Sequence, residues 1–92
     1  MKEVWVVFYV SGYTSEATTD LFLNYEDAYN YYINQIKMIY PGVDDYKVED
    51  VIKAIENKEI IDTEDVSLYG YDLTFDGIEV YERIDLYKQE VR

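Results

Sequence analysis

The chain has 92 residues, with 8 Lys+Arg against 20 Asp+Glu for a formal net charge of −12, and it contains no cysteine, no histidine and one proline. That length is one domain, residues 1–92, and 49% apolar with 17% aromatic residues lies far from the composition of disordered chains. Without Cys or His there is no Cys/His zinc site, haem-ligating histidine, cysteine nucleophile or Ser-His-Asp triad, and a conventional hydrolase is not expected. No apolar run approaches the roughly 18 residues of a membrane span, and the start is too short and too acidic for a signal peptide, so a cytoplasmic location is expected. Nucleic acid and anionic membranes would be repelled, whereas a positively charged protein would be attracted.

Val4 to Val10 is a β-branched and aromatic run with apolar residues on both alternating sets, which predicts a central strand covered on both faces. Ser11, Gly12 and Tyr13 begin a turn, and Thr18 to Leu23 returns as a second strand with Thr19, Leu21 and Leu23 on one face. Asn24 has N-cap chemistry, with Glu26 and Asp27 in the first turn of the helix that follows. Tyr25, Ala28, Tyr29, Tyr32, Ile33, Ile36, Ile39 and Tyr40 form its apolar stripe, and Pro41-Gly42 ends it. Asp44 or Asp45 is the expected cap of a second helix bearing Val48, Val51, Ile52 and Ile55 on one side and Glu49, Asp50, Lys53 and Glu56 on the other, with Asn57 as its stop.

Lys58 to Asp65 reads as an acidic loop anchored by Ile60 and Ile61. Asp76-Gly77 is the strongest turn signal, since a type I′ turn needs positive φ at both central residues. Folding about it pairs Phe75 with Ile78, Leu73 with Val80, Tyr71 with Glu82 and Tyr69 with Ile84 on an apolar face, and places Asp72, Thr74, Tyr81, Arg83 and Asp85 on the other. The expected class is α+β: ββααββ, a four-stranded antiparallel sheet with both helices on one face.

Asp72-Leu73-Thr74-Phe75-Asp76-Gly77 resembles the first half of an EF-hand loop, but position 12 of that loop would be Arg83, where calcium requires a bidentate Glu. The pairs Asp62/Glu64 and Asp44/Asp45 have no pocket signal that would raise a carboxylate pKa for acid–base work. No glycine pattern fits a phosphate loop, so no cofactor and no metal are expected. More telling is the unevenness of the charge. Residues 44–65 hold nine acids (Asp44, Asp45, Glu49, Asp50, Glu56, Glu59, Asp62, Glu64 and Asp65) against Lys47, Lys53 and Lys58, which is half the excess charge. With Tyr46 they are the candidate partner-binding residues, because solubility does not require such self-repulsion. The bland alternative is a solvated helix face and loop. Tyr25, Tyr29 and Tyr32 are expected in the core, while Tyr31, Tyr46 and Tyr81 fall off the apolar faces, where tyrosine among carboxylates suits a binding surface.

In size, charge, Asp/Glu/Tyr-rich surface and small α+β plan, the chain resembles, at the level of class, phage-encoded inhibitors that imitate nucleic acid, such as the anti-CRISPR proteins and the uracil-DNA glycosylase inhibitor. The hairpin followed by Asn24-Tyr25-Glu26-Asp27-Ala28 is similar to many small proteins of phages and low-GC Gram-positive bacteria. The resemblance implies a non-enzymatic protein acting in the cytoplasm of a bacterial host, its carboxylates in the basic groove of a nucleic-acid enzyme such as a CRISPR effector. A second expectation is a small adaptor that binds through a sheet edge or a tyrosine patch.

Overall fold

The computed structural model describes residues 2–12, 17–43, 45–76 and 81–91. Along the chain come β1 (Lys2–Ser11), β2 (Ala17–Phe22), α1 (Tyr25–Ile39), α2 (Val48–Glu56), β3 (Ile61–Asp62), β4 (Val66–Tyr69), β5 (Asp72–Asp76) and β6 (Tyr81–Val91). The α+β class and the two helices stand as expected, but the sheet has six strands in the order β2-β1-β6-β5-β4-β3, all neighbours antiparallel. The element order is therefore ββααββββ, not ββααββ.

β1 is bonded along both sides, to β2 from Trp5↔Phe22 to Val10↔Ala17 and to β6 from Lys2↔Val91 to Ser11↔Glu82. Its central place agrees with the sequence. Trp5, Val7 and Tyr9 point to the helices and pack with the core, whereas Val4, Val6, Phe8 and Val10 point away from it. Among the described residues no helix covers that second side. The apolar run thus marks a strand covered on one face and bare on the other, which corrects the expectation of two covered faces.

α1 begins where Asn24, extended at φ −130 and ψ 154, accepts the Asp27 N–H on its side chain at 2.9 Å. It ends at Tyr40, whose N–H still bonds the Ile36 carbonyl, immediately before Pro41. Ala28, Tyr32, Ile36 and Tyr40 are buried at strict four-residue spacing and form the ridge laid on the sheet. Of the three tyrosines expected inside, only Tyr32 is fully buried; Tyr29 is half-buried and Tyr25 lies at an exposed rim. The Tyr32 hydroxyl donates to the Tyr71 carbonyl at 2.5 Å, and burial holds its phenol well above its ordinary pKa. Tyr40 pins the path to α2 by donating its hydroxyl to the Tyr46 carbonyl and accepting the Val43 N–H.

The cap of α2 falls on Lys47, not on Asp44 or Asp45. The carboxylate that satisfies the helix start comes from inside the first turn, where Asp50 Oδ2 accepts the Lys47 N–H at 2.9 Å. Asn57 is the C-cap as expected. The residue after it, Lys58, stands at φ 57. Lys58 N–H bonds the Ile55 carbonyl and Glu59 N–H the Ala54 carbonyl, a Schellman closure built with lysine where glycine is usual.

The C-terminal half departs most from the sequence reading. Lys58 to Asp65 includes β3, paired through Ile61↔Leu68 and Asp62↔Ser67. Gly70 at φ 64 starts the two-residue connection from β4 to β5, the place that a type II′ turn gives to glycine. Between β5 and β6 the register is Leu73↔Ile84, Thr74↔Arg83, Phe75↔Glu82 and Asp76↔Tyr81. Ile84 and Glu82 therefore do not oppose Tyr69 and Tyr71. The expected pairs with Ile78 and Val80, and the Asp76-Gly77 turn itself, involve residues outside the described ones. The slip of four positions is even, so Asp72 to Phe75 and Tyr81 to Asp85 keep their expected faces, but Tyr69, paired with Asp72 across the Gly70 turn, stands on the side away from the helices and not on the apolar face.

The left-handed lysine yields a test. An L-residue in this region pays roughly 1–2 kcal/mol of steric strain, partly offset in a glycine variant by the looser unfolded chain. Lys58→Gly should therefore stabilise the protein by about 0.5–1 kcal/mol, read as a higher urea midpoint at unchanged slope. An unchanged or lower midpoint would contradict this end of α2.

Candidate functional site

Asp44 lies outside the described residues. The others divide among three places. Asp45 and Tyr46 occupy the tight turn before α2, where Tyr46 exchanges two backbone hydrogen bonds with Val43 and is half-buried. Glu49, Asp50 and Glu56 are exposed on the outer side of α2, and Glu59 follows its C-terminal closure. Asp45, Tyr46, Asp50 and Glu59 come together with Lys53 around an open cleft of about 440 Å³, floored by Ala54 and Ile61. Glu56 lies apart, beside Lys37 and Tyr29 over the groove between the helices.

Asp62, Glu64 and Asp65 are not part of that cleft. Asp62 shares a face with Ser67 and stands on the side of the sheet opposite the helices. There its carboxylate raises the pKa of the neighbouring Tyr69 phenol. Glu64 and Asp65 form the β3–β4 turn, closed by Thr63, whose hydroxyl donates to the Val66 carbonyl and accepts the Val66 N–H. The Glu64 carbonyl accepts the Tyr81 hydroxyl, and the Asp65 carbonyl accepts the Asp76 N–H. With only two residues in β3, no ladder of strand carboxylates continues through 58–65.

Among the described residues the ion pairs lie elsewhere. Arg83 grips Asp72 with two hydrogen bonds, Nε to Oδ1 at 2.8 Å and Nη2 to Oδ2 at 3.1 Å, and stands 3.6 Å from Asp85; Lys88 stands 3.6 Å from Glu3. Burial, and then the charge of Asp72, pushes the Asp85 carboxyl above its ordinary pKa. None of Asp45, Glu49, Asp50, Glu56, Glu59, Asp62, Glu64 and Asp65 has a described Lys or Arg within ion-pair distance.

The sequence reading missed the helix-free face of the sheet, although its signal was present in the doubly apolar β1. Across this face run the rows Leu21–Val6–Tyr87, Thr19–Phe8–Asp85 and Ala17–Val10–Arg83, the last two continuing to Asp72 and Thr74. Val6 is 0% exposed between Leu21 and Tyr87, yet it does not belong to the core under the helices. The exposed Leu21, Tyr69, Tyr81, Tyr87 and Val91 all lie on this side.

Both sheet edges are blunted. β3 is too short to template a strand, and β2 carries Asp20 on its helix-facing side, opposite Val7, where the Tyr31 hydroxyl donates to it at 2.9 Å. An inward-pointing charge on an edge strand opposes pairing with another chain. Tyr31, which is off the main helix stripe, thus serves this edge and packs its ring on Phe22.

Comparison with family models, with curated proteins and with solved structures finds no match to this chain.

Asp20→Val removes the edge charge without shortening β2. The variant should self-associate with rising concentration, seen in sedimentation velocity, at retained circular dichroism. A profile identical to the parent's would show that β2 is guarded by something other than Asp20.

Proposed function

We propose that the protein is a non-catalytic inhibitor whose carboxylates occupy the basic nucleic-acid-binding groove of a bacterial defence nuclease, an enzyme of the CRISPR-effector kind, and so stand in for backbone phosphates. The observation that carries this reading is the set of carboxylates along and around α2 with no cation at ion-pair distance among the described residues. Left alone, those charges repel one another and cost stability; a groove lined with Lys and Arg neutralises them. Glu49 and Glu56 stand seven residues apart on one helix, about 10 Å at about 1.5 Å per residue, which equals the axial rise of about three base-pair steps at about 3.4 Å each. The rigid carrier is the helix rather than the 58–65 segment.

The contact face under this reading is Asp45, Tyr46, Glu49, Asp50, Glu56 and Glu59, with Glu64 and Asp65 at the neighbouring turn. Binding through an added β-strand is the weaker alternative, because both edges of the sheet are blunted.

The test is competition. Protein immobilised through its N-terminus and exposed to a bacterial host lysate should retain a nucleic-acid enzyme that added DNA or RNA releases and that rising salt weakens. Combined Glu49→Lys, Asp50→Lys and Glu56→Lys should weaken that complex at least tenfold, about 1.4 kcal/mol, with circular dichroism unchanged, whereas Glu90→Lys should not. Nucleic acid and this protein bound together on one target, at an affinity flat with salt, would overturn the reading.

A further inference from the structure

The helix-free face combines two surfaces that a solvated sheet does not need. Over β2, β1 and the end of β6 it is apolar: Val4, Phe8 and Val10 are half-buried around the sealed Val6, and Leu21 is 64% and Tyr87 40% exposed. Over β6, β5 and β3 it is acidic, with Asp62, Asp72, Asp76 and Asp85 against one arginine, Arg83, which already bonds Asp72. Contiguous exposed apolar surface beside ordered charge marks a binding surface more often than a solvated one.

The dimensions select the occupant. Val4 to Val10 runs about 20 Å at about 3.3 Å per residue, close to four turns of an α-helix at about 5.4 Å each. The acidic column on β5 lies two strand spacings from β1, about 10 Å, which is the diameter of one helix. A helix laid along β1 and β6 would set its apolar side on Phe8, Leu21 and Tyr87 and its flank against Asp72, Asp76 and Asp85. That flank must be basic. A second copy of this chain fits less well: three strands by about 20–30 Å offer roughly 300–400 Å² per copy, against the roughly 800 Å² per partner of a stable interface, and each copy carries −12.

We propose that the helix-free face of the sheet is a second recognition surface, taking an amphipathic helix of a partner protein with apolar residues on one side and Lys or Arg along one flank. It lies on the opposite side of the sheet from α2, and it stands or falls independently of the groove-binding role given to α2.

The probe is a synthetic 14-residue helix with leucines at i, i+3, i+4 and i+7 and lysines along one flank, titrated into 15N-labelled protein. Amide shifts should concentrate at Val4, Phe8, Leu21, Asp85 and Tyr87. Leu21→Lys and Tyr87→Lys, both exposed and expected to fold as the parent does, should each weaken binding at least fivefold, while the reversals at Glu49, Asp50 and Glu56 should change it less than twofold. The same peptide with glutamates for lysines should not bind. Shifts centred on α2 with the Leu21 variant unaffected, no saturable binding, or a concentration-dependent dimer of the protein alone through these residues would each overturn the proposal, and none of them bears on the nucleic-acid competition that tests the role of α2.

Discussion

One constraint organises the molecule: a six-stranded sheet needs two layers to cover it, and the chain has helices for one. Five strand spacings make the sheet about 24 Å wide, and two helices side by side, each about 10 Å across, cover most of one face. α1 supplies the ridge Ala28, Tyr32, Ile36 and Tyr40, and α2 supplies Val51, Ala54 and Ile55 to the same core. Among the described residues no further helix remains for the other side. The chain seals it locally instead, burying Val6 between Leu21 and Tyr87 and leaving the flanking apolar groups half-exposed.

The same economy sorts the charge. On the helix-free face three of the four acids have a described partner, Asp72 and Asp85 sharing Arg83 and Asp62 beside Tyr69. Around α2 the acids have no described cation at ion-pair distance, and the turns that hold them are fixed by backbone bonds: Tyr46 to Val43, Lys47 to Asp50, Thr63 to Val66. The carboxylates there are displayed from ordered positions, so a partner would not bear the full entropy of ordering them.

Where a local signal was decisive, the sequence was enough. Asn24 and Pro41 bound α1, its four-residue ridge is visible as a pattern, and β1 announces itself by composition. The C-terminal half was harder because two turn signals compete. Asp76-Gly77 outweighed the lone Gly70, so one long hairpin was read where Gly70 folds β4 onto β5. The pairings were then wrong by four positions while the faces of β5 and β6 stayed right, since strand periodicity is two; Tyr69, before the Gly70 turn, falls on the other face. β3, with two paired residues, has no periodicity to read. The cluster 44–65 is contiguous in sequence but not in space, because β3 turns Asp62 through to the far face while α2 holds Glu49, Asp50 and Glu56 on the near one. The bare sheet face was misread for a physical reason: apolar residues on both sides of a strand indicate two environments, and composition cannot say whether the second is a helix layer or a surface kept for a partner.

The bare face is the claim on which this account most depends, and solvent access to its methyl groups measures it directly. A soluble nitroxide added to methyl-labelled protein should broaden the resonances of Val4, Val10 and Leu21 strongly and leave those of Val7, Ile84 and Leu86 sharp. Equal protection of the two sets would mean that the far side of the sheet is already covered, and would contradict the one-layer architecture.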